Sequence, residues 1–479
     1  MTTECKEQKM LFQAHGSRAV EAGFDGGMIT SDGGVLLLRE LELKQSIISE
    51  FARCFTDGRD QQAIEFTVEE LLKQRIFGLA LGYEDLNDHE KLRVDPLLAT
   101  SCGRVDPTGE DRRCAGDKGR PLAGKSTLNR LELHSGDQKR DGVYKKIAVN
   151  QAAVDEFFVN RFLTRQREIP WRIYLDLDAT DDRVHGDQEG KYFHGYYGDY
   201  CYLPLYIFCG DDLLCARLRT SDKEAAAGAL DELKWIIAQI RKRWPKTEIV
   251  VRGDSGFCRD EIMTWCEQQT DVYHILGLAQ NARLLRQIKP QMEKAQLRYE
   301  ISGKASRVLT EFRYQTRDTW SCERRVIAKA EHLEKGANPR FVVTSLPEFE
   351  VNWKEEVLYC DARYLYEKVY CARGEMENRI KEQQLDLFAD RTSTHYLKSN
   401  QLRLWLASVA YLMVNEVRSV GLAGTKLARA YCGTIRKEIF KIGAIVRVSV
   451  RRVVVSFSSA YPRQELFRLV LQRLSALGP

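Results

Sequence analysis

Apolar residues recur at intervals of three and four over residues 35–55, which is the spacing of one face of an α-helix. A second helix is predicted over residues 67–81, where Thr67 occupies the N-cap and a Glu three residues later completes a capping box. A polar stretch rich in Gly, Asp and Arg over residues 101–120 predicts a loop. Residues 1–165 are therefore expected to form a mainly helical region.

After Trp171 the pattern changes to short β-rich runs. Strands are predicted over residues 172–180, 202–209, 213–219, 248–252 and 272–279. Helices over residues 223–244 and 259–268 precede the fourth and the fifth of these strands. Antiparallel connections followed by helical crossovers predict an α/β fold with a mixed sheet covered by helices.

The rest of the chain divides into further segments by the same criterion. Strand-like runs return over residues 285–350, helical periodicity resumes at 362–387 and 400–420, and a β-branched run at 445–457 precedes a final helix from 463. The predicted regions are a helical N-terminal region 1–165, a first part of the α/β core 166–284, a β-rich insertion 285–355, a second part of the core 356–420 and a basic C-terminal region 421–479.

Charge is unevenly distributed along the chain. The net charge is +5, but residues 395–479 contain 14 Lys and Arg against 3 Asp and Glu. This asymmetry indicates a polyanionic partner such as nucleic acid, with a solubilising surface as the alternative. We expect this region, including Arg451 and Arg452, to contact DNA and to supply salt-sensitive affinity.

Cysteine usage and hydropathy indicate the compartment. The 13 cysteines form no C-x-x-C pair, which excludes zinc-ribbon and thioredoxin sites and favours free thiols in a reducing cytoplasm. The longest apolar run, near residues 404–414, is about half the length of a bilayer span. We therefore expect a cytoplasmic protein with no membrane partner.

A phosphate-loop pattern occurs at residues 119–126 (GRPLAGKS). Such a motif binds nucleotides only where a buried strand leads into the loop, and the polar residues 111–118 cannot form that strand. We expect the segment to begin a helix instead, with Lys125 and Arg130 offering donors to phosphate groups.

Carboxylates occur at particular places on the α/β pattern. Asp176 and Asp178 lie within the first predicted strand, and Asp254 ends the fourth. Glu377 lies in a later helix. A charged side chain inside an apolar strand is costly unless it is paired or binds a metal ion. Carboxylates without Cys or clustered His suit Mg²⁺ or Mn²⁺, and two such ions promote in-line phosphoryl transfer. Ordinary caps and surface ion pairs are the alternative.

Three motifs at these positions resemble those of a known family. The sequences DAT at 178–180, DSGF at 254–257 and YCARGEME at 370–377 are similar to the D-x-T, D-x-G-F and Tyr-(2)-Arg-(3)-Glu-(6)-Lys motifs of one large group of bacterial insertion-sequence DDE transposases. The resemblance covers roughly residues 170–420. The final Lys of the signature falls at Gln384 here, and Lys381 is the candidate to replace it as a DNA contact.

The resemblance implies a ribonuclease H-like core and a transposase that cleaves the ends of a mobile element and joins the 3′-hydroxyls to target DNA. It implies that Asp178, Asp254 and Glu377 are catalytic and bind two Mg²⁺ or Mn²⁺ ions, and that Tyr370 and Arg373 position DNA phosphates. The N-terminal and C-terminal regions would bind double-stranded DNA at the terminal inverted repeats. They would hold a homodimer across two ends, at the nucleoid of a bacterial cell.

Geometry distinguishes the candidate glutamates but not the candidate aspartates. At about 100° per residue, Arg373 and Glu377 share one stripe of a helix, about 80° wide, with positions 370, 381 and 384. Glu375 falls on the far side of that helix. Along a strand, Asp176 and Asp178 point to the same face, so geometry leaves both as possible metal ligands. The resemblance favours Asp178.

Two other functions remain open from the sequence. One is a ribonuclease H-like nuclease that hydrolyses DNA without joining it. The other is a DNA-binding regulator descended from such an enzyme, with an inactive site. The presence of all three acids argues against the regulator.

Overall fold

The computed structural model describes residues 9–133, 146–351 and 357–478. The chain begins with a two-stranded hairpin, Met10–His15 and Arg18–Ala22. The N-terminal helical region follows with α-helices Val35–Gln45, Ile47–Ala52, Val68–Leu81, His89–Leu92, Pro96–Cys102, Lys125–Glu132 and Gln151–Arg165, and with 3-10 turns Leu86–Asp88 and Ala115–Asp117. Two short strands, Phe55–Asp57 and Ile147–Val149, pair antiparallel within this region.

Local sequence signals explain where these helices begin and end. The Thr67 hydroxyl accepts from the Glu70 N–H at 3.2 Å, and the Glu70 carboxylate accepts from the Thr67 N–H at 2.8 Å, which confirms the predicted capping box. The helix predicted over residues 35–55 is instead divided at Ser46, whose φ of 50° is left-handed and ends the first helix.

The central sheet contains eight strands in a continuous path. They are β1 Arg172–Ala179, β2 Leu205–Cys209, β3 Asp212–Arg217, β4 Glu248–Gly253, β5 Val272–Leu278, β6 Ser306–Tyr314, β7 Arg324–Leu333 and β8 Arg340–Thr344. Their order across the sheet is β3-β2-β1-β4-β5-β8-β7-β6, and a ninth strand, Gly336–Ala337, pairs with β7. β1, β4 and β5 are parallel, and every other neighbouring pair along this path is antiparallel. The prediction of an α/β fold with a mixed sheet is confirmed.

Two helices connect strands of the sheet and pack against the same face of it. Ala229–Arg243 and Asp260–Gln268 connect β3 to β4 and β4 to β5. The predicted helix over 223–244 begins only at Ala229, because Gly228 has a left-handed φ of 74° and the Arg219 guanidinium binds the preceding carbonyls.

The segment between β5 and β6 differs from the strand-like prediction made for it. It forms helices Ala282–Gln287 and Lys289–Ser302, the second with Pro290 in its first turn. The strands that follow, β6 to β8, extend the central sheet beyond β5. A hairpin of Phe349–Val351 and Val357–Tyr359 comes next.

A continuous helical segment then returns to the sheet. It comprises Ala362–Tyr364, a π-turn Leu365–Tyr370, a 3-10 turn Cys371–Arg373, the α-helix Gly374–Lys381 and a second π-turn Glu382–Asp386. The helix Leu397–Glu416 continues into a π-turn Val417–Gly421, is buried on nearly every side and packs against Val68–Leu81 and β3. Within the described residues, no helix combines the length and the apolarity needed to cross a bilayer.

The C-terminal region is built into the same core. Strands Ala444–Ser449 and Arg452–Phe457 form a ribbon that pairs with Ile29–Thr30 near the N-terminus. Helical turns Cys432–Ile435 and Arg436–Phe440 precede the ribbon, and the helix Gln464–Ser475 follows it. Ile439, Phe440, Val470 and Leu474 are fully buried. This region is therefore a structural part of the protein and not a separable tail.

Candidate active site

The two aspartates of β1 have different surroundings although they share one face of the strand. Asp176 is 2% exposed and forms a bidentate ion pair with Arg252 of β4, at 2.6 and 2.7 Å. Arg252 also donates to the Val369 carbonyl at 2.7 Å and stacks on Tyr174. The Asp176 carboxylate is thus already paired with a buried guanidinium. The Asp176–Arg252 pair connects β1, β4 and the helical segment. Sequence reasoning missed Arg252, although a charged residue inside a buried strand was a usable signal.

Asp178 lies nearer the end of β1 and has no such fixed partner among the described residues. Its carboxylate accepts from the Ala179 N–H at 3.0 Å, and its Oδ2 is 3.7 Å from Arg373 Nη1. Burial raises the pKa of Asp178 to about 7. Arg373 opposes that rise, whereas the negative charges of Asp254 and Glu377 add to it. Asp178 therefore interacts electrostatically with both of the other predicted acids.

Asp254 directly follows β4, whose neighbours are β1 and β5. Its Oδ1 accepts from the Gly256 N–H at 2.8 Å and so caps the 3-10 turn Ser255–Phe257. The small residue Gly277 on β5 is required here, because a Cβ at this position would lie 2.6 Å from the Tyr370 hydroxyl oxygen. The helical segment therefore approaches the sheet closely beside Asp254.

Glu377 projects from the helix Gly374–Lys381 toward the same place. Arg373 donates to Glu377 Oε1 at 2.9 Å, so its guanidinium faces both Glu377 and Asp178. Glu375 is exposed, and its charge contributes to the raised pKa of Asp176. The π-turn and the 3-10 turn mean that a constant 100° step does not describe positions 365–373, yet Arg373 and Glu377 still meet.

Arg373 is the counter-ion of this cluster. Its side chain is 14% exposed, and the carboxylates of Asp178, Glu377 and Asp254 raise its pKa although burial alone would lower it. One guanidinium therefore contacts two carboxyl groups and interacts electrostatically with the third, and the cluster retains an excess of negative charge when all three are ionised. We refer to Asp178, Asp254 and Glu377 with Arg373 as the carboxylate site.

The carboxylate site suits a hard cation in its donor chemistry. It offers only oxygen ligands, and the elevated pKa of Asp178 means that a further cation would stabilise its ionised form. With the side chains as they stand, no three acidic, Cys or His groups in the described ranges are grouped closely enough to hold a metal ion. Arg373 instead lies against two of the three carboxylates.

A cavity of about 410 Å³ adjoins the site. It is lined in part by Asp254, Ser255, Gly277, Arg340, Tyr366 and Tyr370. Burial raises the pKa of Tyr370, so its hydroxyl stays protonated as a donor. Arg340 is exposed at the start of β8 and was not predicted from the sequence, because the approach of β8 to β5 is a long-range feature.

The remaining predicted DNA contacts lie on other elements. The half-buried Gln384 donates to the buried Asp182 at 2.8 Å, so the side chain at the signature's last position is bound within the protein. Lys381 is exposed and lines a different cavity, of about 440 Å³, with Arg436 and Lys437. We observe no contact of Lys381 with the carboxylates among the described residues.

Lys125 and Arg130 are exposed on the helix Lys125–Glu132. The Lys125 N–H donates to Glu90 at 2.8 Å, so a protein carboxylate already binds at this helix start. A loop and not a strand precedes the helix, as expected for a segment that is not a phosphate loop. Arg451 lies in the turn of the C-terminal ribbon and Arg452 begins its second strand, and both are exposed.

Fold and site together define an α/β protein with an acidic, oxygen-only site formed by the first strand, the fourth strand and a later helix. The sequence model of the family Transposase DDE domain group 1 matches residues 12–479, and the chain belongs to this family.

No curated protein matches the chain by sequence. Among solved structures, the chain is similar to the piggyBac transposase in a cryo-EM synaptic complex with hairpin DNA. The identity is 10%, the match covers 93% of this chain and 85% of that chain, and the TM-score is 0.42.

Proposed function

We propose that this transposase-family chain cleaves DNA at the ends of a mobile element and joins the freed 3′-hydroxyls to target DNA. The observation that carries the proposal is that Arg373 contacts both Asp178 and Glu377, and that Asp254 acts electrostatically on Asp178, in a chain that matches the family over residues 12–479. The strand order β3-β2-β1-β4-β5, with β1, β4 and β5 parallel, supports a ribonuclease H-like catalytic core.

Asp178, Asp254 and Glu377 would hold two Mg²⁺ or Mn²⁺ ions. When bound, such ions activate an attacking oxygen and stabilise the leaving oxygen of an in-line displacement. The protein's own contribution is positional. Asp178 is held on β1, Asp254 is fixed by the turn that it caps, and Glu377 is oriented by Arg373. No covalent intermediate with the enzyme is required, because water and then a 3′-hydroxyl serve as nucleophiles.

Arg373 and Tyr370 are the proposed contacts to the scissile strand. Arg373 pairs with two carboxylates, at 2.9 and 3.7 Å, in the free protein, and a phosphate of the DNA would offer it a third anionic partner. The Tyr370 hydroxyl lies at the cavity beside Asp254, where it can donate to a phosphate oxygen. The buried Asp176–Arg252 pair supports both residues through the Val369 carbonyl.

DNA outside the site would contact cationic side chains on other parts of the surface. Lys125 and Arg130 in the N-terminal region, Lys381 beside Lys437, and Arg451 and Arg452 on the C-terminal ribbon are the proposed positions. We propose terminal inverted repeats as the bound sequence, a homodimer across the paired ends, and membership in the bacterial insertion-sequence group that carries this signature. The proposed place of action is the nucleoid of the cytoplasm.

A strand-transfer assay tests this function. A supercoiled plasmid that carries the gene's flanking DNA as element ends is incubated with the protein and Mg²⁺, next to a second plasmid as target. We expect nicks at the ends and joined products, both abolished by EDTA and by Asp254→Asn. Nicks without joined products would instead identify a nuclease, and specific binding without any cleavage would identify a regulator.

A further inference from the structure

The end of the sheet that carries Asp254 also carries a cation to which the proposed function gives no role. β8 runs antiparallel to β5, so β8 begins where β5 ends, and Arg340 is its first residue. In the order of the sheet, β5 has β4 on one side and β8 on the other. Asp254 and Arg340 therefore lie on opposite sides of β5, roughly 10 Å apart, which is two strand spacings.

Arg340 lies on the face of the sheet that the helical segment covers. Residues two apart on a strand share a face, so Arg340 shares the face of Val342. Val342 is fully buried in one apolar cluster with Tyr366 and Val369 of the helical segment. Burial raises the pKa of Tyr366, and the positive charge of Arg340 opposes that rise, so the guanidinium lies near the Tyr366 hydroxyl.

One cavity joins these groups. The cavity of about 410 Å³ beside the carboxylate site has Asp254, Gly277, Arg340 and Tyr370 in its wall. Its volume is within the range of about 300–1,000 Å³ that is usual for pockets that hold a small ligand. A Cβ at position 277 would lie 2.6 Å from the Tyr370 hydroxyl oxygen and 2.9 Å from the Ser255 nitrogen. The tyrosine hydroxyl therefore reaches this wall only because position 277 has no side chain.

Arg340 differs in its pairing from two other cations on the strands β6 to β8. Lys329 lies opposite Arg340 on β7 and pairs with Glu331 at 2.5 Å. Arg307 on β6 pairs with Glu367 at 3.4 Å. Arg340 is exposed, and within the described ranges its guanidinium has neither an ion pair nor a hydrogen bond. Its guanidinium is therefore available to an anion that enters the cavity.

We propose that Arg340 and the Tyr370 hydroxyl bind a backbone phosphate of the DNA, next to the phosphate that is cleaved at the carboxylate site. Both groups donate hydrogen bonds, and an arginine can bind a phosphate through two parallel N–H groups. A DNA strand that leaves the carboxylate site through this cavity passes Arg340, whose long side chain can reach its next phosphate. The inference rests on the proposed function, because it takes the cleaved phosphate to lie at the carboxylate site.

The sheet fixes the backbone of Arg340 in place. β8 pairs with β5 over residues 341–344 and with β7 over residues 340–344. A contact residue on a strand is placed more precisely than one on a loop. Arg340 is therefore a positioning residue, which holds the DNA strand relative to the carboxylates and does not touch the reacting atoms. This role also gives the strands β6 to β8 a function, since they hold the start of β8 beside the site.

Phosphate interference tests the contact. The wild type and its variants bind, in EDTA, a series of duplexes that span the junction of element end and flank, each with one phosphate replaced by a neutral methylphosphonate. We expect one position beside the cleaved phosphate where this replacement weakens binding by the wild type by about tenfold. The same replacement should not weaken binding by Arg340→Gln any further. On the unmodified duplex, Arg340→Gln should already bind about tenfold more weakly, with a salt slope reduced by about one.

Arg307→Gln is the matched control. It removes the same charge from the same sheet, but Arg307 pairs with Glu367 and is not part of the cavity wall. Arg307→Gln should keep the wild-type interference pattern, and Arg340→Lys, which retains the charge, should restore interference at the expected position. Both arginines are exposed, so circular dichroism and thermal melting of each variant should match those of the wild type.

Three outcomes would overturn the inference. They are a full wild-type pattern in Arg340→Gln, the same loss of interference in Arg307→Gln, and a wild type without interference at the junction. The assay contains no Mg²⁺, so its result is independent of cleavage. Plasmid nicking with an unaltered pattern in Arg340→Gln would reject the Arg340 contact alone. The expected interference without any nicking would support the contact and reject the proposed cleavage.

Discussion

One helical segment carries two acidic clusters that differ in their charge balance. Glu377 belongs to the carboxylate site, and Glu382 lies five residues further along. Glu382 is 1% exposed and accepts from the Arg418 guanidinium at 2.7 and 3.0 Å, from Arg379, and from the Cys432 N–H at 3.0 Å. Every oxygen of Glu382 is therefore paired within the protein. We call Glu382, Arg379, Arg418 and Cys432 the Glu382 network.

The carboxylate site lacks this balance. Three carboxyl groups share one guanidinium, and Asp178 responds with a pKa near 7 because of burial and of its acidic neighbours. Burial of charge alone therefore does not identify a functional site in this chain, since the Glu382 network is the more deeply buried of the two. The carboxylate site differs in that a bound cation could compensate its excess of negative charge.

The largest effect on stability is expected at the balanced cluster. Glu382→Gln removes the charge that compensates the buried Arg418, and we expect a loss of about 3–5 kcal/mol in the free energy of unfolding. Urea denaturation of the two proteins at one pH measures it. Glu375→Gln, on the exposed side of the same segment, is the control and should change stability by less than about 0.5 kcal/mol.

The unbalanced site should behave in the opposite way. The pKa of Asp178 in the folded state lies above its usual value, so the protonated carboxyl group stabilises the fold. This contribution to the free energy of unfolding is at its maximum below pH 4 and is lost as the pH rises through about 7. Asp178→Asn should therefore stabilise the metal-free protein at pH 8 by about 1–4 kcal/mol, and this gain should shrink toward pH 4. Melting curves in EDTA across this pH range measure the difference. A destabilised Asp178→Asn protein at pH 8 would contradict it.

Asp176 and Asp178 lie on the same strand, but their substitution should change stability in opposite directions. Asp176→Asn leaves the buried Arg252 uncompensated, so it should destabilise the protein where Asp178→Asn stabilises it. We expect the nicking rate of Asp176→Asn to be about tenfold below that of the wild type, or 1.4 kcal/mol, because the helical segment is misplaced. Asp176→Asn should still retain more activity than Asp178→Asn. Equal loss of activity in the two variants would remove the distinction between them.

The smallest effect is expected at the C-terminal ribbon. Deletion of residues after Gly421 would remove fully buried side chains, so it cannot test the predicted DNA contact, and point substitutions are required. Arg451→Gln with Arg452→Gln should reduce the salt slope of end binding by about two. Arg468→Gln, whose guanidinium pairs with Glu465, is the control. An unchanged slope in the double variant would place the DNA contact elsewhere.

The sequence predicted the parts of the fold that local patterns determine. Short windows of sequence are sufficient to predict the capping box at Thr67 and the order of the first five core strands along the chain. They also reveal the motifs at 178–180, 254–257 and 370–377. Ser46 and Gly228 end or delay helices through a left-handed backbone, which apolar periodicity does not reveal.

The remaining features depend on residues that are distant in sequence. The Asp176–Arg252 ion pair depends on the register of β1 against β4. The hydrogen bond from Gln384 to Asp182 depends on how the second π-turn packs. Arg373 could be predicted as a neighbour of Glu377 by its spacing of four. Its approach to Asp178 could not, because that contact depends on how the helical segment lies on the sheet.

The most direct test of the account compares Glu377→Gln with Glu375→Gln in Mg²⁺-dependent nicking and joining at element ends. The two glutamates lie two residues apart on one helix, but Glu377 binds Arg373 and acts on Asp178, whereas Glu375 faces solvent. We expect Glu377→Gln to lose both activities while it remains folded and binds the ends, and Glu375→Gln to keep most of its activity. A fully active Glu377→Gln protein would contradict the assignment of the carboxylate site and the metal-dependent chemistry proposed for it.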